Sequence, residues 1–262
     1  MKKIIYIFVI LSLTGSGCFL NTQMPIDEAM QIKDETLKGV DVNYFPQDQK
    51  AVGYLSLADK PNAPGLILIH EWWGLNDSIK KLADRFAEEG YNALALDLYT
   101  GKVASTPDEA RAYATEVREK MDAAFVNIQA GLDYLKNRPE VDADHLASVG
   151  WCFGGGWSYQ IAKNNMGVDG SVMYYGQFAP EDDLEMMKSQ ILGHFGENDQ
   201  SIPVEDVKTF RAKLDTLGGG HEIFIYPNSD HAFANEDGAN YNSESAELAW
   251  DRTLDFLKEL FK

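Results

Sequence analysis

From residue 37 onward the chain alternates short, β-rich apolar runs with longer stretches of helical periodicity, and that alternation restricts the fold more than any other feature. Val40, Val42 and Tyr44 alternate with polar neighbours over 37–45, the turn-like Pro46-Gln47-Asp48 follows, and 51–57 alternates again. These two runs read as an antiparallel pair. Residues 65–70 (GLILIH) form a continuous apolar run, as expected of a strand buried on both faces. Residues 78–89 carry Ile79, Leu82, Ala83 and Phe86 at helical spacing, and 91–98 reads as the next strand. Thr106-Pro107-Asp108-Glu109 opens a helix, with Thr as cap, Pro in the first turn and Glu three residues after the cap. That helix runs to about Asn137 with room for one break. Then come a strand over 146–151, a helix over 153–163, strands over 170–175 and 190–195, and a helix over 203–217 ended by Gly218-Gly219-Gly220. A strand over 221–226 and a helix over 243–261 close the chain. Such a succession implies an α/β fold: a mostly parallel central sheet with helices on both faces, in one domain spanning 37–262.

Composition agrees. Hydrophobic residues make up 45% and charged residues 24%, which excludes collagen, coiled coil and disorder along most of the chain. Asp+Glu outnumber Lys+Arg by 41 to 23, a formal net charge of −18. That field repels nucleic acid and anionic head groups, so no nucleic-acid partner is expected. Cys18 and Cys152 are the two cysteines, which excludes a disulfide framework.

Residues 1–17 have the layout of a signal peptide: Lys2 and Lys3, an apolar run from Ile4 to Leu13 interrupted by Ser12, then Thr14-Gly15-Ser16-Gly17. The run is too short to cross a bilayer as a mature helix and suits an export signal. Cys18 follows directly, in the position of a bacterial lipoprotein cysteine that becomes the lipid-bearing first residue. Such signals usually place Leu three residues earlier, where this chain has Gly15. Export to the cell envelope with attachment through lipid on Cys18 is expected, with a soluble periplasmic or secreted form as the alternative. Residues 18–36 read as a tether, with a short helix around Pro25 to Met30.

Chemistry concentrates at strand ends. Gly150-Trp151-Cys152-Phe153-Gly154 joins a predicted strand to a predicted helix, the G-x-nucleophile-x-G elbow with cysteine as nucleophile. A helix N-terminus beneath the thiol favours thiolate. In this arrangement the acid and then the histidine follow along the chain. Asp199, in Gly196-Glu197-Asn198-Asp199, and His231, after Ser229-Asp230, are the candidates, with Glu197 and Asp230 as nearest competitors. His70-Glu71-Trp72-Trp73-Gly74 follows the third strand, in the loop that supplies one oxyanion-hole N–H. The backbone N–H groups of Trp72 and Phe153 are therefore the oxyanion-hole candidates, and Glu71 could hold the thiol or take its proton. His70, His145, His194 and His221 read as structural. No histidine spacing suits a metal, so neither metal nor cofactor is expected.

In these motifs, H-E-W-W-G, G-W-C-F-G-G, G-E-N-D-x-x-I-P and D-H-A-F-A-N in that order, the chain resembles the dienelactone hydrolase family of α/β-hydrolases over about residues 37–262. The resemblance implies an α/β-hydrolase fold, a Cys152–His231–Asp199 triad and a Glu71 that contacts the resting thiol and shifts on substrate binding. It implies a carboxylic ester or lactone hydrolase, which the N-terminal signal would export, with acyl transfer to Cys152 followed by hydrolysis, and a small-molecule ester or lactone as partner. One position departs. Characterised members carry an arginine a few residues after the catalytic histidine that binds the substrate carboxylate, and the matching residue here is Asn235. Without that cation an anionic lactone loses a contact worth roughly 1.5–3 kcal/mol. Arg111 lies in the region of a second substrate-binding arginine.

Three other readings compete. A non-catalytic envelope lipoprotein would keep the pocket to bind a small hydrophobic ligand. An amidotransferase-like enzyme would need H-x-E where this chain has His231-Ala232-Phe233. A redox sensor at Cys152 would lack a resolving partner.

Overall fold

The computed structural model describes residues 36–262. The expectations for 1–35, namely the signal peptide, Cys18 and the tether with its short helix, lie outside the described residues. Residues 37–262 form one compact unit. In chain order its elements are β1 (Val40–Val42), β2 (Gly53–Ser56), β3 (Ala63–Ile69), α1 (Asp77–Glu88), β4 (Asn92–Leu96), α2 (Pro107–Glu119) and α3 (Met121–Lys136). They continue with β5 (Val141–Trp151), α4 (Phe153–Lys163), β6 (Gly170–Tyr174), β7 (Gln190–Gly196), α5 (Val204–Leu217), β8 (Glu222–Tyr226) and α6 (Ser243–Leu260).

The eight strands form one sheet in the order β1-β2-β4-β3-β5-β6-β7-β8. β1 pairs antiparallel with β2 and β2 with β4; all other pairs are parallel. Side chains alternate between the faces of a strand, so each central strand supplies two cores. Leu66 and Leu68 of β3 pack with Ile79 and Phe86 of α1 and with Trp250 and Phe256 of α6. Ile67 and Ile69 face the other way, against Ile128 and Leu132 of α3 and Trp157 and Ile161 of α4. A third cluster joins α4 and α5 to β6, β7 and β8 through Tyr159, Phe195 and Phe210. Each large apolar side chain fully buried this way contributes about 1.5–3 kcal/mol.

Helix starts follow local chemistry. The side chains of Asn76, Thr106 and Asn242 accept the backbone N–H groups of Ile79, Glu109 and Ser245, capping α1, α2 and α6. The break allowed for in the long helix falls at Lys120, whose ψ of 48° separates α2 from α3. One element differs from expectation. The strand expected over 146–151 starts earlier, at Val141, so that Asp142–His145 belongs to β5. The register against β3 slips there, from Pro64↔Asp142 to Gly65↔Leu146. The extra residues bulge outward and fold onto Asp142, whose carboxylate accepts the Asp144 N–H and pairs with the His145 ring.

Candidate active site

The strand-to-helix turn after β5 sets the geometry. Cys152 has φ 53° and ψ −111°, a strained conformation for a side-chain-bearing residue. The Cys152 N–H donates to the Tyr174 carbonyl at 2.9 Å, which anchors the turn to β6. Glycine is required on either side. A Cβ on Gly150 would sit 2.0 Å from the Gly154 oxygen, and a Cβ on Gly154 would sit 2.0 Å from the Ile69 oxygen. Backbone packed this closely lifts the Cys152 side chain off the end of the sheet, over the first turn of α4.

Two neighbouring loops reach the thiol. The loop after β7 carries Asp199 and the loop after β8 carries His231, and the Asn198 N–H donates to the Ser229 carbonyl to tie them together. His231 Nε2 lies 3.1 Å from Cys152 Sγ, and His231 Nδ1 donates to Asp199 Oδ2 at 2.7 Å. The other Asp199 oxygen accepts the N–H groups of Ser201 and Ile202. Asp199 is thus held from both sides, and its orientation fixes the imidazole tautomer, leaving Nε2 to the sulfur. Burial disfavours the imidazolium, but the hydrogen bonds to Asp199 and Cys152 and the charges of both groups outweigh it, lifting His231 to about 10. The competing carboxylates point elsewhere: Glu197 accepts the Asn228 N–H, and both Glu197 and Asp230 are exposed.

These residues open onto a cavity of about 580 Å³ lined by Trp72, Trp73, Phe153, Trp157, Tyr175 and Arg118 among others. The indoles of Trp72 and Trp73 meet edge to face, 5.1 Å between centroids. Among the described residues, no backbone acceptor is hydrogen-bonded to the N–H of Trp72 or of Phe153, the first residue of α4.

Glu71 also lines the cavity and is 8% exposed. Tyr175 Oη donates to its Oε1 at 3.2 Å, and Asn235 Nδ2 donates to its Oε2 at 2.5 Å. Burial drives the Glu71 carboxyl upward and Asp237 adds to this; the bonds from Tyr175 and Asn235 and the His231 charge pull it back, leaving it at about 7. Among the described residues no hydrogen bond joins Glu71 to Cys152. Both carboxylate oxygens are already engaged.

The remaining histidines are packing residues. His70 is fully buried, stacks 5.6 Å from Phe153 and accepts the Leu98 N–H; burial lowers it to about 4. His194 lies between Tyr226 and Thr253, and His221 accepts the Ile191 N–H. His145 belongs to the β5 bulge. Among the described residues no group of three His, Cys, Asp or Glu could hold a metal ion.

The profile of the dienelactone hydrolase family matches residues 52–261. The chain belongs to the dienelactone hydrolase family. It is 34% identical over 225 residues to "Protein usf" of Aquifex pyrophilus, covering 83% of this chain and 97% of that relative. It is 31% identical over 261 residues to a Saccharolobus solfataricus protein named "Putative carboxymethylenebutenolidase", covering 85% of this chain and 99% of the relative. A solved dienelactone hydrolase-like promiscuous phosphotriesterase from metagenomic libraries shares the α/β-hydrolase fold, with TM-score 0.75 at 23% identity over 85% of this chain and 97% of that one.

In this dienelactone hydrolase family member Arg111, in the region of a second substrate-binding arginine, does not line the cavity. Arg111 is exposed and pairs with Asp108. Arg118 is the arginine that lines the cavity, 5.7 Å from the Phe153 ring. The two lie on one helix face about 10 Å apart. Tyr175 was also missed as a site residue. The sequence suggested a strand through 175, whereas Tyr175 leaves β6 at φ 40° and turns its phenol toward Glu71.

Proposed function

We propose that this member of the dienelactone hydrolase family hydrolyses a small carboxylic ester or lactone through a thioester on Cys152. The observation that carries the reading is the continuous relay from Asp199 through His231 to Cys152, with spacings of 2.7 and 3.1 Å, opening onto an aromatic-lined cavity. His231, lifted to about 10, is basic enough to take the thiol proton as the sulfur is engaged by substrate. The thiolate attacks the acyl carbon, and charge on the former carbonyl oxygen meets the backbone N–H groups of Trp72 and Phe153. Collapse breaks the ester C–O bond, and the imidazolium hands its proton to the departing alkoxide. In a lactone the freed hydroxyl stays on the same molecule. His231, now neutral, takes a proton from water as the water attacks the thioester. Expulsion of the thiolate restores the resting pair.

The test is turnover of p-nitrophenyl acetate. Cys152→Ala with intact fold should lose it; a variant that retains full turnover overturns the reading. A second proposal concerns location. The Lys2-Lys3 start, the apolar run and Cys18 support export and lipid attachment at Cys18. In bacteria fed labelled palmitate the full chain should take up label and Cys18→Ala should not; equal labelling of both, or label in neither, excludes lipid attachment at Cys18.

A further inference from the structure

Beyond its packing, His70 makes one bond that reaches the cavity through the backbone. Its ring is fully buried, 4.6 Å from the Tyr99 ring and 5.6 Å from that of Phe153. Nε2 lies 3.3 Å from the Leu98 nitrogen, and Nδ1 lies 2.6 Å from the Glu71 carbonyl oxygen. An amide N–H can only donate and a carbonyl can only accept, so these partners select one ring form, bare at Nε2 and protonated at Nδ1. Burial disfavours a second proton, which would point at the Leu98 N–H. The Glu71 carbonyl and the Trp72 N–H are opposite edges of one planar peptide unit. A bond that holds the oxygen therefore sets the direction of that N–H, and drawing charge toward the oxygen makes the N–H a stronger donor. The Gly74 N–H donates to the same oxygen at 3.2 Å, closing the 71–74 turn, and the Trp72 carbonyl accepts the Tyr99 hydroxyl at 3.1 Å. The nucleophile elbow lies against this turn. A Cβ on Gly154 would sit 2.7 Å from the His70 carbonyl oxygen, so the end of β3 and the first turn of α4 leave no room for a side chain between them. Trp72, Cys152 and Phe153 line the same cavity.

We propose that His70 is a positioning residue for ester cleavage: by holding the Glu71 carbonyl it fixes the 71–72 peptide, so that the Trp72 N–H is aimed and polarised for the oxyanion before substrate enters. The inference rests on the hydrolytic reading in taking that N–H as an oxyanion donor. Removing the imidazole leaves Cys152, His231 and Asp199 in place and releases the peptide plane on one side.

The experiment compares two reactions of Cys152 in the full chain. Acylation by p-nitrophenyl acetate, followed as p-nitrophenolate released in the first turnover, places charge on a carbonyl oxygen. Alkylation by iodoacetamide forms an S–C bond, expels iodide and places no new charge on a carbonyl oxygen; it is read as the mass of the peptide carrying Cys152. In His70→Leu, which removes the ring donor, acylation should fall roughly 10–100-fold, short of the 10²–10³ that outright loss of an oxyanion donor costs. Alkylation in the same variant should stay close to the wild type, because the thiol and its relay are untouched; a merely structural role for His70 would slow both. His70→Gln, whose amide offers an N–H and a carbonyl to the same two partners, should restore acylation to near the wild-type rate. His70→Met, unbranched and adaptable in a core but without a donor, carries the test if His70→Leu does not fold. Wild-type acylation in the Leu or Met variant, alkylation that falls in step with acylation, or a Gln variant as slow as these, overturns the proposal. Its failure is distinct from that of the hydrolytic reading, which falls if ester turnover survives in Cys152→Ala.

Discussion

At Asp199 the two carboxylate oxygens are divided between the backbone of residues 201–202 and the imidazole of His231, and that division predicts an asymmetric mutant. Asn in this position keeps the backbone bonds through its carbonyl and turns an NH₂ toward His231 Nδ1. The imidazole must then carry its proton on Nε2, where it cannot accept the thiol proton. Asp199→Asn should therefore lose roughly 10³–10⁴-fold in turnover while denaturing close to the wild type; turnover within tenfold of wild type would remove Asp199 from the proposed relay. Glu71 makes a prediction of opposite kind, in stability rather than rate. Its carboxyl is raised from 4.5 to about 7 in the folded protein, so between those values the fold holds a proton that the unfolded chain has released. Stability then falls as pH rises through that window and levels off above it. Glu71→Gln removes this slope. Its unfolding free energy relative to wild type should shift in the variant's favour by about 3 kcal/mol between pH 4.5 and roughly pH 8, measured by urea denaturation; an unchanged difference across that range contradicts the burial argument. Cys152, Asp199 and His231 could be singled out from sequence because each follows a strand, and parallel strands deliver their C-terminal ends to one edge. The partners of Glu71 could not. They depend on a positive φ at Tyr175 and on an amide braced by Asp237, and neither leaves a pattern in residue spacing.

The same division holds for strands and helices. Continuous apolar runs such as GLILIH identified buried strands, and the Thr106 cap with Pro107 located the start of α2, because these signals are local. The antiparallel β1–β2 pair followed from the turn between two alternating runs. The β5 bulge was hidden because three polar residues within four, Asp142, Asp144 and His145, look like a turn, and only pairing with β3 keeps them in the strand. The order of strands across the sheet is equally non-local. The contact that most depends on it is α4 against β3, where Gly154 meets the Ile69 carbonyl. A methyl added there would sit 2.0 Å from the Ile69 backbone oxygen, with no flexible side chain to give way. Gly154→Ala should destabilise the protein by about 3 kcal/mol or more, at or beyond the upper end of ordinary overpacking. Chemical denaturation reads this directly, and a loss below about 1 kcal/mol would mean that the elbow and β3 are not packed as closely as drawn.

Charge acts over the whole molecule. A net charge of −18 makes the folded state repel itself, because folding brings acidic groups nearer than they are in the unfolded chain. Exposed ion pairs such as Lys38–Glu88, Arg111–Asp108 and Lys120–Glu116 oppose this. Each such pair contributes at most about 1 kcal/mol, and salt weakens it too. The two effects respond to salt with opposite sign, so the excess decides the outcome. With 41 acidic against 23 basic side chains, most basic groups can be matched while many carboxylates remain without a cation. Screening should therefore relieve more repulsion than it removes attraction. Raising ionic strength from about 0.01 to about 1 M shortens the screening length from roughly 30 to 3 Å and should raise the thermal midpoint. The comparison belongs in sodium chloride, since sulfate would add the separate stabilisation of an excluded salt. The Asp199–His231 contact, whose carboxylate is fully buried, is screened less than exposed pairs, so turnover of p-nitrophenyl acetate measured alongside should vary less with salt than the midpoint does. A midpoint that falls with sodium chloride would show that the surface ion pairs outweigh the acidic excess.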